Sequence, residues 1–301
     1  MASEVIWSQW DDLEMPTGIT SLSPRTAPLD AEVLTGITFF VPPYMGGRKA
    51  LAPILRMPDL KVVQLPYAGY ENAIEFMRPG LIMCNAAGVH DDSTAELAVG
   101  LTIASLRGFP DFIRNQMQAE WVRSRRKSLS DSRIGIVGFG SIGKRIAENL
   151  SGFAVEIVPF TRSGADGSRK MSDLDALLPT LDVIILSMPL NEESRHLFDA
   201  KRLALMKDGA LLVNVARGPV VETDALVAEL NSGRILAALD VTDPEPLPKD
   251  HPLWKAPGLL ISPHVGGEST AFEPRFRKLL EEQLRRFSRG DTLENIVYEG
   301  K

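Results

Sequence analysis

Three polar residues of catalytic type follow apolar runs in the second half of the chain: Arg217 after ALLVNVA, Glu245 after ILAALDV and His264 after LLISP. A guanidinium can pair bidentately with a carboxylate or hydrogen-bond a reacting carbonyl oxygen. Histidine titrates close enough to neutrality to give a proton in one direction and take it back in the other. A nearby carboxylate would fix the ring and favour its protonated form, and Asp240, Asp243 and Glu245 are all candidates for that partner. Upstream lies a glycine turn, IGIVGFGSIG. A nucleotide site, a cation for an anionic substrate and a histidine with an acid are the requirements of hydride transfer to or from a hydroxy acid.

In GFGSIG, Gly138 permits the tight turn, Gly140 lets backbone approach a pyrophosphate and Gly143 allows close packing of strand and helix. The apolar IGIV before the turn and the helical KRIAENL after it supply the context that a bare glycine pattern lacks, and the helix amides then face the phosphates. A carboxylate about 20 residues beyond such a turn normally accepts from the adenosine ribose 2′-hydroxyl. No acid occurs from Ile157 to Ala165; PFTRS instead places Thr161, Arg162 and Ser163 where a 2′-phosphate would meet a cation and hydroxyl donors. The expected coenzyme is therefore NADP in preference to NAD.

These residues need a sheet to carry them. From Arg133 the chain alternates IGIVGF, VEIVPF, VIILSM, ALLVNV, ILAALDV and LLIS with helix-like segments, the pattern of a parallel sheet covered on both faces. Asp199 and Thr223 are read as helix caps, the latter before DALVAELN, which ends at Gly233. The first ninety or so residues carry short β-type runs, GITFFV, LKVVQL and GLIMCN, and read as a smaller α/β unit. STAE at Ser93 matches a capping box, with a helix expected from there to Leu106. A polar stretch follows; Arg123, Arg125, Arg126 and Lys127 are read as a solvated connector and Trp121 as a packing residue. FEPRFRKLLEEQLRRFSRGD reads as a polar-faced helix that returns, with LENIVYE, to the first domain. The fold expected is α/β with two domains: residues 1–92 and 271–301 as a discontinuous substrate domain, and 93–270 as a Rossmann coenzyme domain.

With 301 residues and 44% apolar content the chain can bury a substantial core, which excludes a disordered protein. Its 33 Lys and Arg against 39 Asp and Glu give no electrostatic basis for binding nucleic acid or an anionic membrane, so a small anion must be drawn in by local charge. The start, MASEVIWSQWDDLE, lacks a basic segment followed by an apolar one, and Ala98–Leu106 is too short to span a bilayer. Cys84, the single cysteine, excludes an internal disulfide and is expected at a buried strand end. Together these place the chain in the cytoplasm. No metal is called for.

From about Lys61 to Asn295 the sequence resembles the D-isomer-specific 2-hydroxyacid dehydrogenase family, glyoxylate and hydroxypyruvate reductases included. The resemblance rests on GFGSIG, NVARGPVVE, ALDVTDPEPLP and HPLWKAPGLLISPHVGG in that order. It implies a flavodoxin-like substrate domain, Arg217 binding substrate, Glu245 paired with His264, and His264 as acid and base. It also implies Asp240, Val215, Ala216 and Thr94 near the nicotinamide, Ser141 and Ile142 at the pyrophosphate, and the backbone of Tyr67, Ala68 and Gly69 around the substrate carboxylate. A homodimer formed through the coenzyme domain, and a cleft that closes, are further implications. The sequence departs from the family at Thr161, where an aspartate is usual and which resembles the NADP-using reductases, and at Tyr70, where an aspartate is frequent.

The reaction so implied is reduction of a small 2-keto acid to a D-2-hydroxy acid. Formate or phosphite oxidation uses the same fold, but formate enzymes pair the histidine with glutamine where Glu245 stands. Corepressors of similar fold bind NAD and partner peptides and keep a similar triad; the lack of long disordered extensions argues against that alternative.

Overall fold

The computed structural model describes residues 4–30 and 34–300. Two compact units emerge, Met1–His90 with Thr270–Lys301, and Asp91–Ser269. The first unit begins with strands β1 (Glu4–Trp7), β2 (Ile19–Leu22), β3 (Phe39–Phe40), β4 (Val62–Gln64) and β5 (Ile82–Cys84). Alternate residues feed opposite cores: Ile6, Phe39, Val62 and Cys84 enter one, and Trp7, Phe40, Val63 and Met83 the other. Period-two alternation with both faces apolar is why these strands read as short unbroken hydrophobic runs.

The second unit carries β6 (Arg133–Val137), β7 (Glu156–Thr161), β8 (Arg169–Lys170), β9 (Val183–Leu186), β10 (Leu211–Asn214), β11 (Leu236–Leu239) and β12 (Leu259–Ile261). They form one parallel sheet ordered β12-β11-β10-β9-β6-β7-β8. Val183 and Ile185 pack with Ile134, Ile136 and Val213 on one face; Ile184 and Leu186 pack with Val137, Phe160 and Leu212 on the other. Because the strand order reverses between β6 and β9, a crevice opens at their carboxyl ends, where ligands bind in such sheets. The chain then forms the helix Phe272–Arg289 and β13 (Ile296–Glu299), which pairs antiparallel with β5 and completes the first sheet in the order β13-β5-β4-β3-β1-β2.

Several local expectations are corrected. The helix assigned to start at Ser93 spans Asp91–Arg107 and has Asp91 and Asp92 in its first turn, where carboxylates favour the positive end of the helix dipole; Ser93 is buried inside it. Thr223 does not cap its helix: the helix spans Thr223–Asn231 after Glu222, and the Thr223 hydroxyl donates to the carbonyl of Asp243 at 2.8 Å. Asp199 does cap its own, accepting from the Arg202 amide at 2.9 Å. The stretch read as polar connector contains a second helix, Phe109–Met117, with Pro110 in its first turn, where a missing N–H costs nothing. That helix buries none of its residues, and Trp121 beyond it is 95% exposed, so Trp121 packs on nothing in its own chain. Arg123 and Arg125 are exposed as read, while Arg126 pairs with Asp111 and Lys127 bonds the carbonyl of Gly209. The strands β1 and β2 had no counterpart among the expected runs. Among the described residues no helix is long and apolar enough to cross a membrane.

Candidate active site

At the carboxyl end of β6 the three glycines have different reasons to be glycine. A Cβ on Gly138, whose φ is +97°, would stand 2.6 Å from the Met188 amide nitrogen, and one on Gly143 would stand 2.2 Å from the carbonyl oxygen of Gly138. Both are demanded by the chain's own packing. A Cβ on Gly140 would meet nothing within 4 Å, so the protein leaves that space to an incoming group. Gly140 is also the N-cap of the helix Ser141–Leu150, with no side-chain cap and no acid in the first turn. The amides of Ser141, Ile142 and Gly143 therefore head a helix whose dipole suits a pyrophosphate, so these residues fit a dinucleotide. Ser187, just past β9, ties the two sides of the crevice together by donating to the carbonyl of Gly138 at 2.7 Å.

Past β7 the turn Thr161–Ser168 carries no acid until Asp166, and Asp166 pairs with Lys144 at 2.8 Å. The Thr161 hydroxyl is spent on the turn, accepting from the Gly164 amide at 3.0 Å and bonding Ser168 at 2.6 Å. Arg162 and Ser163 are exposed; Arg162 is 84% exposed and reaches Glu193 at 2.7 Å.

The three residues expected to react sit on the next three strand ends. After β10, Asn214 is buried and closes the turn that follows: its Nδ2 donates to the carbonyl of Arg217 at 3.0 Å and its Oδ1 accepts from the Ala216 amide at 3.0 Å. Val215 and Ala216 are buried, while Arg217 is half-buried with Nη1 on the carbonyl of Ala216 at 2.7 Å. Gly218 lies so close to the loop after β11 that a Cβ there would be 1.9 Å from the carbonyl oxygen of Thr242. That contact is how the arginine and glutamate loops keep their spacing.

Asp240, at the end of β11, is buried and organises the loop after β12. Its Oδ1 accepts from the Ser262 hydroxyl at 2.6 Å and from the Val265 amide at 2.9 Å, its Oδ2 from the Gly266 amide at 2.9 Å, and its carbonyl from the His264 amide at 2.7 Å. The grip holds His264 at φ +55°, a conformation that a histidine adopts only when its surroundings impose it. Thr94 closes the far side, with Cγ2 3.4 Å from where a Cβ on Gly266 would stand.

His264 Nδ1 lies 2.5 Å from Glu245 Oε1, which selects Glu245 from the three acids of the sequence. That bond raises the imidazole above its ordinary value, against partial burial and the charge of Arg217, with the charges of Glu245 and Asp240 helping. Burial works to raise Glu245, but the bond to His264, its charge, the Thr242 backbone and the charge of Arg217 together leave the carboxyl below its usual range. The bond thus favours the protonated ring and commits Nδ1, leaving Nε2 as the nitrogen from which a proton can be passed.

Tyr67, Ala68 and Gly69 lie in the first unit, on the loop after β4, all half-buried. Burial pushes the Tyr67 hydroxyl up to about 12. Cys84 ends β5 as expected, buried, with its thiol also pushed up to about 12 by burial. Sequence reasoning did not find Asn214, Ser187, Ser262 or Gly218. The signal at Asn214 was available, since an asparagine ending a buried strand is placed to bond the turn after it; the others act through backbone partners distant in sequence.

Residues 99–266, more than half of the chain, match the sequence model of the D-isomer specific 2-hydroxyacid dehydrogenase NAD binding domain. The chain belongs to that family. It is an oxidoreductase that uses a nicotinamide dinucleotide. The chain is 33% identical over 255 residues to a glyoxylate reductase of Thermofilum pendens, a match covering 80% of this chain and 75% of that protein. It is also 30% identical over 298 residues to a D-3-phosphoglycerate dehydrogenase of Methanocaldococcus jannaschii; this match covers 95% of this chain but only 55% of that longer protein. Among solved structures, a D-isomer specific 2-hydroxyacid dehydrogenase family protein of Aeromonas salmonicida superposes with a TM-score of 0.84 at 24% identity over 98% of this chain and 99% of that one, a likeness of fold.

Proposed function

We propose that this member of the family reduces a short 2-keto acid, glyoxylate or hydroxypyruvate, to the D-2-hydroxy acid with NADPH. The observation that carries the reading is the 2.5 Å bond between His264 and Glu245, in the same unit as the glycine turn and within the electrostatic reach of Arg217. The reduced nicotinamide, when bound, supplies the hydride. His264 delivers a proton from Nε2 to the carbonyl oxygen, while Glu245 stabilises the charged ring beforehand and fixes its orientation. Arg217 polarises the same carbonyl and neutralises charge as it develops on oxygen. Asp240 acts by holding the histidine loop, with Val215, Ala216 and Thr94 lining the space beside the nicotinamide. The amides of the Tyr67–Gly69 loop take the substrate carboxylate. The substrate domain is the unit formed from both ends of the chain, and the coenzyme domain the unit between them.

Preference for NADP rests on the absence of an acid from Ile157 to Ala165 and on Arg162. Its partner Glu193 is 62% exposed, and an exposed pair of this kind is worth at most about 1 kcal/mol, so a 2′-phosphate can take its place. We further propose a homodimer that covers the unburied helix Phe109–Met117 and Trp121. Equilibrium sedimentation should give a dimer that Met117→Glu together with Trp121→Glu converts to monomer; a wild-type monomer at micromolar concentration overturns this assignment.

Steady-state oxidation of NADPH and NADH with a panel of 2-keto acids tests the activity. Turnover with a two- or three-carbon keto acid and a preference for NADPH are expected. Tight dinucleotide binding with no turnover on any acid would favour a sensor or scaffold instead, and preference for NADH would overturn the coenzyme assignment.

A further inference from the structure

Asn85, one residue past β5, is buried, and its amide is oriented by its neighbours. The Ala87 amide donates to Oδ1 at 3.2 Å, which leaves Nδ2 as the donor, and Nδ2 bonds the carbonyl of Ala68 at 2.6 Å. Beside it the Ala86 amide donates to the carbonyl of Tyr67 at 3.0 Å. Two consecutive carbonyls of the loop after β4 are thus drawn toward the Asn85 segment. Both peptide units are trans, cis bonds occurring at Asp243–Pro244 and Glu245–Pro246. In a trans unit the C=O and N–H point to opposite sides. Pulling the carbonyls of Tyr67 and Ala68 inward therefore turns the N–H groups of Ala68 and Gly69 outward, side by side, and neither finds an acceptor among the described residues. Successive N–H groups presented this way make a concavity suited to an anion.

The main chain that carries this side chain is itself held in place. The carbonyl of Asn85 accepts from Gln64 Nε2 at 3.0 Å, and its amide donates to the carbonyl of Asn295 at 3.0 Å. Gln64 Oε1 accepts in turn from Gln283 Nε2 at 2.8 Å, and both glutamines are fully buried. A network in which each buried amide is satisfied holds one geometry. We propose that Asn85 is a positioning residue for catalysis: by fixing the carbonyl of Ala68 it aims the Ala68 and Gly69 amides at the carboxylate of the keto acid. This inference rests on the Tyr67–Gly69 loop being the carboxylate subsite.

The test uses the full chain with NADPH and two variants. Asn85→Asp keeps the shape and the acceptor for Ala87 but sets a carboxylate oxygen against the carbonyl of Ala68; Asn85→Ala withdraws the donor and leaves only a methyl group. The KM for the keto acid and the Ki for oxamate, an unreactive acid of the same shape, should each rise about 10-fold, equivalent to about 1.4 kcal/mol. The NADPH Kd should stay within about twofold and kcat within about threefold, a split that general loosening of the fold would not produce. Folded variants whose KM and Ki match wild type overturn the proposal. So, without any variant, does a wild-type Asn85 side-chain amide that exchanges with solvent as fast as an exposed one. Amide resonances of Ala68 and Gly69 that do not move when oxamate binds would fell the subsite reading itself, and a wild type inert to every keto acid would fell the activity; each failure is read separately from that of Asn85.

Discussion

Two turns of the second unit, both at carboxyl ends of strands, are built on opposite principles. The loop that carries His264 is gripped by one buried residue: the carboxylate of Asp240 holds Ser262, Val265 and Gly266, and its carbonyl holds the His264 amide. The turn after β7 that carries Arg162 closes on its own hydroxyls, and its charged groups, Arg162 with Glu193 and Lys144 with Asp166, meet on the surface. Buried hydrogen bonds to a charged group contribute about 1.5–3 kcal/mol each, whereas exposed ion pairs contribute about 0–1 kcal/mol. The residues proposed for the chemistry are therefore anchored in the core, and those proposed to choose the coenzyme lie in surface charge that can change with little effect on the fold.

The contrast breaks first at His264. His264→Ala should lower kcat about 10²- to 10⁴-fold while the dinucleotide Kd, followed by fluorescence, stays within about twofold. If the grip of Asp240 is what matters, Asp240→Ala should lose most of that activity as well and, by leaving buried donors unpaired, cost about 1–3 kcal/mol in urea unfolding. An Asp240→Ala protein with normal turnover would dissolve the distinction. At the surface turn, Arg162→Ala should reduce the ratio of kcat/KM for NADPH to that for NADH about 10-fold without a measurable change in Tm, and Glu193→Gln should move the same ratio by less than about twofold.

A pH profile sharpens the comparison further. In the proposed reaction reduction needs protonated His264, and the Glu245 bond raises that group above its ordinary value near 6.5. Its kcat/KM should be full at low pH and fall as pH rises through the raised value; Glu245→Gln should bring the falling limb down. The same shifts act on stability. The raised histidine contributes stability fully present below about 6.5 and lost as pH rises through its folded value, and the lowered carboxyl contributes stability present above about 4.3 and lost as pH falls through its own. With side chains 41% and 40% exposed, solvent screening keeps the pair's contribution to the scale of a surface ion pair.

What could be read from residue types was whatever repeats with the period of a buried strand or sits at its end. VIILSM and ALLVNV announce strands covered on both faces, and Arg217 and His264 stand where such strands stop. The choice of Glu245 over Asp240 and Asp243 needed either the family resemblance or coordinates, because three acids broken by three prolines give no periodicity to follow. Asp240 was read as a neighbour of the nicotinamide, and its bonds to Val265 and Gly266 were invisible because they join a side chain to backbone groups 25 and 26 residues away. The short β1 and β2 were missed because strands of four residues, two of them buried in β1 and none in β2, carry too little pattern. Phe109–Met117 was missed although Phe109, Phe112, Ile113 and Met117 recur at helical spacing, because Gly108 and Pro110 read as the end of helical structure rather than as the start of a second helix.

Gly218 carries a consequence for any attempt to widen the range of acids accepted. With 1.9 Å between its missing Cβ and the carbonyl oxygen of Thr242, the two loops meet main chain against main chain at this point, and any side chain at position 218 would force them apart. Selection for a bulkier acid would have to enlarge its room elsewhere and leave this seam as it is.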